Sequence, residues 1–340
     1  MVARRHISAP VALLSLAAVL AAALVAGIAL GAVPVAPGDV LGALGRAASG
    51  RASGISDTLI VGVRLPRVLL AALVGASLAG AGVLYQAIFR NPLADPYILG
   101  VSSGAGLGAT IAIAATAQLA AWRFGAVPLA AFAGAVLTML LVVRLASLRG
   151  RFETTSLLLA GVAISYTLSA VTSFIMVFAR EQMSQVVFWM MGGLSSASWP
   201  YVAMVAPMFA LGAAIPLAYT RELNLMLLGD ERAGQLGLPV ERFRNLVLAS
   251  ASLLTAAAVA VAGLIGFVGL MTPHIVRLVL GPDHRSLLPA SLLSGAIVMV
   301  LADLVARIVL APVEIPVGIV TAVLGGPFFV YLLVRREGVR

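Results

Sequence analysis

The chain contains no cysteine, so it can form neither disulfides nor thiolate metal sites, and the redox state of its compartment leaves no mark on it. It contains no lysine either; all 22 basic residues are arginine. That removes the phosphate-cradling P-loop, whose lysine reaches the terminal phosphates of a nucleotide, and no G-x-x-x-x-G-K-[ST] occurs. If this protein works with ATP, another chain must bind it. Charge is scarce: 10% of the 340 residues are charged and 61% are hydrophobic, with a mean hydropathy of +1.10. A soluble domain does not have this composition. The net charge of +9 is no sign of nucleic-acid binding, because the arginines lie scattered between apolar runs, with no basic stripe and no interleaved aromatics.

Long apolar runs are what the chain does have. They recur from end to end with no polar stretch large enough for a separate core, so residues 1–340 read as a single all-α, polytopic membrane domain. Arg4 and Arg5 precede the first run, 11–31, which is too long for the middle of a signal peptide and is expected to stay as a first helix. Further spans are expected at 68–89, 97–120, 125–147, 156–178, 198–219, 245–262, 264–281, 287–310 and 316–334. These ten spans put both termini on one side. Placing them inside collects Arg90, Arg144, Arg149, Arg151, Arg221, Arg232, Arg242, Arg244, Arg277 and Arg285 at inner helix ends or in inner loops, as the positive-inside rule expects. The pairs Gly75 and Ala79, Ala76 and Gly80, and Gly104 and Gly108 lie four apart, which lets helix backbones approach closely.

One interval breaks the apolar pattern. Between 221 and 244 charged residues crowd together, and a segment this charged is not buried in lipid. Gly229 breaks the chain, Asp230 is placed to N-cap a short helix through Glu231, Arg232, Ala233 and Leu236, and Gly237 followed by Pro239 ends it. The expected result is a helical knob whose face carrying Ala233 and Leu236 is apolar. Such a face suits a groove on another protein, and an ordinary loop helix lying on its own domain fits the same residues.

Elsewhere the polar features are few. Pro92 and Pro96 stop helix from running through Phe89–Gly106, so Asn91 to Asp95 should form a tight inner turn that includes Leu93. Glu153, Thr154 and Thr155 open the fifth span, where the threonines suit N-caps. Arg64 and Arg67 lie on the outer side, where positive charge is sparse; snorkelling to lipid phosphates and contact with an acidic partner both fit them. Asp303 and Arg307, four apart, are expected to pair along one helix face. No set of carboxylates suits a proton relay, no residues have metal-ligand spacing, and no nucleophile lies near a base. These absences weigh against a secondary transporter and against a membrane enzyme.

Ordered motifs from Arg64 to Leu333 resemble the permease family of bacterial ABC importers for iron-siderophore complexes, haem and vitamin B12, the type II importers. They are R-L-P-R at 64–67, N-P-L-A-D-P at 91–96, L-G-V-S-S-G-A-G at 99–106, L-L-L-A-G-V-A at 157–163, F-W-M-M-G-G-L at 188–194, Q-L-G-L-P at 235–239, G-F-V-G-L-M-T-P-H-I-V-R at 266–277 and E-I-P-V-G-I-V-T-A-V-L-G-G-P at 314–327. The resemblance implies a multi-pass protein of the bacterial inner membrane with cytoplasmic termini, working as a homodimer of ten-helix subunits. Its partners would be two ATPase subunits, which bind ATP and Mg, and a periplasmic or lipid-anchored binding protein; this chain would bind no cofactor. Alternating access would carry an iron chelate, haem included, with cobalamin as the second cargo. The resemblance further implies coupling to the ATPase through Gly229, Asp230, Glu231, Arg232, Ala233, Leu236 and Gly237, docking of the binding protein on Arg64, Arg67 and Arg307, and a cytoplasmic gate at Asn91, Leu93, Thr154 and Thr155. Glu153 stands where the cobalamin importer has a serine.

Overall fold

A computed structural model of the chain describes residues 8–31, 35–50, 54–115, 123–147 and 154–337. Among these residues the regular structure is helical throughout, as it must be where lipid offers no partner for a backbone N–H or C=O. The helices are α1 (Ala9–Ala29), α2 (Pro37–Ala48), α3 (Ile55–Asp57), α4 (Leu65–Ile88), α5 (Val101–Ala115), α6 (Arg123–Ser147), α7 (Thr154–Phe178), α8 (Met183–Met190), α9 (Trp199–Ala218), α10 (Thr220–Met226), α11 (Asp230–Gln235), α12 (Val240–Ala262), α13 (Val268–Leu280), α14 (His284–Ile308) and α15 (Val317–Glu337). A π-helical stretch, Thr58–Arg64, joins α3 to α4, so that Ile55–Ile88 runs unbroken for 34 residues.

Among the described residues seven helices are long and apolar enough to cross a membrane: α1, the Ile55–Ile88 unit, α6, α7, α9, α12 and α14. The shorter apolar helices α5, α13 and α15 fill the places of the remaining expected spans. Short helices the hydropathy pattern does not announce, α2 and α8, lie between them.

The centre of the domain is α4, nearly every residue of which is buried. Its small residues explain why. A Cβ on Gly75 would come within 2.1 Å of the Gly295 carbonyl oxygen of α14, and one on Gly82 within 1.8 Å of the Gly269 carbonyl of α13. Gly104 and Gly108 play the same part between α5 and α6, where added carbons would meet the Gly134 and Ala130 carbonyls at 2.4 Å and 2.1 Å. Close backbone approach of this kind gains dispersion contacts where no hydrophobic force acts between helices.

The break between α12 and α13 is built rather than frayed. Gly263 and Phe267 both have φ +68, a left-handed conformation that a phenylalanine adopts only when its surroundings impose it. The exposed backbone between them is satisfied by protein: the Tyr97 hydroxyl donates to the Ile265 carbonyl at 3.0 Å and accepts from the Ile265 N–H at 3.1 Å. Irregular backbone at this depth is tolerated only under such cover.

Candidate functional site

The knob is gripped by the ends of three long helices. At the end of α4 the chain turns through Arg90, φ +46, with Asn91 N–H bonded to the Gln86 carbonyl and Arg90 N–H to the Ala87 carbonyl. That is a Schellman closure with arginine where glycine is usual. The arginine side chain then reaches the knob, pairing with Asp230 and donating from Nε to the Met226 carbonyl at 3.2 Å. Arg244, in the first turns of α12, pairs with the other oxygen of Asp230. The third grip is at α14, where Asn224 of α10 donates to Asp283 Oδ1 at 2.7 Å and its Oδ1 accepts from the His284 N–H at 2.9 Å. The Arg285 N–H and the Asn224 amide hold the Asp283 carboxyl below its ordinary range.

Two details of the expected knob are corrected here. Gly229, φ +101, is the capping residue of α11 and Asp230 is its first helical residue, so the carboxylate bridges two arginines instead of capping the backbone. Its position in the first turn still suits the positive end of the helix dipole. Ala233 does not face outward with Leu236: it is fully buried against the domain, with Leu238 packed in the same core. The reason is the C-terminal closure, in which Leu238 N–H bonds to the Ala233 carbonyl and Gly237, φ +85, to the Gly234 carbonyl, folding the helix end inward. The apolar surface left on the knob is Leu236 with Leu227 and Leu228, flanked by exposed Glu231 and Arg232.

At the opposite end of α4 and α14 lies a second charge cluster. Arg67 makes paired hydrogen bonds to Asp303 at 2.9–3.2 Å and to Glu314 at 2.9 and 3.0 Å. The expected pairing of Asp303 with Arg307 is present, Oδ2 to Nε at 3.0 Å. Arg307 also donates to the Gly27 carbonyl at 2.9 Å, and Arg64 to those of Ile28 and Ala29 at 2.8 and 3.2 Å. These are the last carbonyls of α1, which have no partner within their own helix, and cations are favourable there. All three arginines are buried, held by the chain's own groups, so none snorkels to lipid. Beside them a cavity of about 610 Å³ is lined by Arg67, Glu314, Gln185, Trp189 and Tyr201 among others.

The expected gate residues are only partly gathered. Asn91 Oδ1 accepts the Leu93 N–H at 3.0 Å, closing the predicted turn, and Leu93 lines a small pocket together with Phe267, His274 and Phe328. Thr155 is exposed on the first turn of α7; Glu153 and the Thr154 side chain lie outside the described residues. Helix α7 meets the chain just after the turn through Gly161, whose added Cβ would touch the Ile98 carbonyl at 2.8 Å. Sequence reasoning missed Arg90, Arg244, Asn224 and Glu314. Charge beside a helix end was a usable signal for the two arginines; Asn224 and Glu314 carried none.

This architecture, a bundle of short and long membrane helices with a charged knob gripped at one end, is that of a transport subunit. The chain belongs to the FecCD transport family, whose pattern matches residues 19–335, and is an ABC importer permease. It is 50% identical over 287 residues to a Halobacterium salinarum protein named cobalamin import system permease protein BtuC, covering 84% of this chain and 76% of that one. It is 41% identical over 329 residues to the vitamin B12 import system permease protein BtuC of Salmonella paratyphi A, covering 95% and 94%. A solved metal-chelate type ABC transporter in an inward-facing conformation superposes with a TM-score of 0.82 at 33% identity, covering 96% of this chain and 99% of its own.

Proposed function

We propose that the chain moves cobalamin through a membrane by alternating access, driven by ATP that separate subunits bind and hydrolyse. The observation that carries this reading is the 50% identity to a cobalamin permease, with the Salmonella relative of the same name. It reverses the order of cargoes expected from the motifs alone, where iron chelates stood first. An iron-siderophore or haem cargo is the second reading, favoured by the structural likeness to a metal-chelate type ABC transporter. The partners are a second copy, two ATP-binding subunits carrying ATP and Mg, and a substrate-binding protein. A second copy would cover α7, of whose most apolar stretch only 11% is buried within one chain.

In this reading the ATPase seats on the knob from Gly229 to Gly237, with Leu227, Leu228 and Leu236 supplying the apolar contact. Asn91, Leu93, Thr154 and Thr155 form the gate on the knob side when two copies meet. Docking on Arg64, Arg67 and Arg307 takes a particular form, because Arg67 already holds Glu314. An acidic group of the binding protein exchanges with Glu314, whose side chain is 42% exposed. The test is uptake of labelled cobalamin, a ferric siderophore and haem by vesicles carrying the assembled importer. Cobalamin accumulation that needs ATP is the expected result; uptake of the iron chelates alone overturns the cargo, and uptake of any of them without ATP or the ATPase overturns the mechanism.

A further inference from the structure

A groove of about 390 Å³ runs between α6 and α12, lined on one side by Phe132, Val136, Leu140 and Val143 and on the other by Asn245, Leu248, Ala249 and Ser252, with neighbouring leucine and methionine side chains. The Ser252 hydroxyl is engaged, donating to the Leu248 carbonyl at 2.6 Å. Asn245, at the end nearest the knob, is the polar side chain that remains open to the outside. Along α6 the lining extends from Phe132 to Val143, eleven residue steps, which is about 16 Å at about 1.5 Å per residue. One leaflet of hydrocarbon is about 15 Å thick. The groove therefore matches a single leaflet in length and chemistry.

An arginine stands just beyond the lining at the knob-side end of each wall. Arg144 follows Leu140 by four residues and so lies one turn further along the same face of α6. Arg242 precedes Asn245 by three and Ala249 by seven, which puts it on the lining face of α12. Each is exposed, and neither has an ion-pair partner among the described residues. Arg244, by contrast, points away and is held by Asp230. Two unpaired cations at the mouth of an apolar channel of leaflet length select an amphiphile with a negative head.

We propose that this groove holds one anionic phospholipid of the knob-side leaflet, an acyl chain lying along Phe132 to Val143 and the phosphate between Arg144 and Arg242. Arginine near an anionic headgroup is worth about fivefold in binding per residue. The ligand tethers α6 to α12, the helix whose first turns grip Asp230. The site does not depend on the cargo or on ATP.

The purified full-length chain is exposed to equal amounts of phosphatidylglycerol and phosphatidylcholine, and native mass spectrometry counts retained lipid. The wild type should favour phosphatidylglycerol by tenfold or more. R144Q/R242Q should lose that preference, R144K/R242K should keep it, and R285Q, an exposed arginine away from the groove, should behave as wild type. A249F, which fills the groove, should retain neither lipid while eluting at the wild-type size. Equal retention of the two lipids by the wild type, or an unchanged preference in R144Q/R242Q, overturns the proposal, as does a smaller assembly in A249F, which would assign the groove to a second copy of the chain. The wild-type comparison decides the matter by itself if a variant does not fold.

Discussion

The two ends of the bundle solve the same problem, how to seat carboxylates among arginines, in opposite ways. At the knob Asp230 is 49% exposed and bridges Arg90 and Arg244 across separate helices. At the far end Asp303 is 1% exposed and sits between Arg67 and Arg307, with helix-end carbonyls and Glu314 taking the remaining donors. An exposed pair is screened and contributes about 0–1 kcal/mol. A buried cluster gains little net stability by existing, yet breaking it strands desolvated charge. The far cluster is thus suited to holding α1, α4 and α14 in one block, whereas the knob is held by a carboxylate that solvent reaches, which is the looser hold that the proposed coupling role calls for.

Breaking the comparison at its strongest point should have the largest effect. Asp303→Ala leaves Arg307 without its carboxylate and Arg67 with Glu314 alone, and should cost about 3–5 kcal/mol, seen as lost yield or a much lower melting temperature in detergent. A variant as stable as wild type would show that the far cluster is not a structural lock. Gly237→Val comes next. Its added carbon meets nothing within 4 Å, so the cost, about 1–2 kcal/mol, is that of holding a branched residue at φ +85. It should fall on the knob: the chain inserts normally, but ATPase co-purification or stimulation drops.

Asp230→Ala removes a bridge whose carboxylate and Arg90 are 49% and 41% exposed while Arg244 is buried, and should cost about 1 kcal/mol in stability while lowering coupling as much as Gly237→Val does. Full ATPase stimulation and transport in this variant would reduce the bridge to a surface ornament. Glu314→Gln should be the mildest for stability, since Asp303 stays on Arg67. Freed from the internal carboxylate, Arg67 should take up an acidic binding protein faster, and rising salt should blunt the gain. An unchanged association rate across a salt series would remove Glu314 from the docking step.

How much of this could be read without coordinates depended on how local each feature is. The ten spans were legible because the membrane writes them in hydropathy, and the α12–α13 break because the expected spans 245–262 and 264–281 part at Gly263. The knob's limits were legible at Gly229 and Gly237, where left-handed backbone needs glycine. The inward rotation of Ala233 was not, because amphipathicity over a six-residue helix says little about which side meets the domain. Asp230 satisfied every local rule for an N-cap, and its actual task depended on Arg90, 140 residues away in the chain.

The sequence by itself determined the solvent of each segment: apolar runs for lipid, one charged interval for water, and small residues at the four-residue spacing that close helix contact requires. It also determined, through the absence of lysine, that the chain carries no G-x-x-x-x-G-K-[ST] phosphate loop. Only the tertiary structure decided which charges meet. Arg67 lies 236 residues from Asp303 and 247 from Glu314, and Asn224 lies 59 from Asp283. Hydropathy and turn chemistry act over a few residues, whereas an ion pair in a membrane bundle is chosen by which helix ends are brought side by side, and that is settled by the packing of the glycines of α4 against α13 and α14.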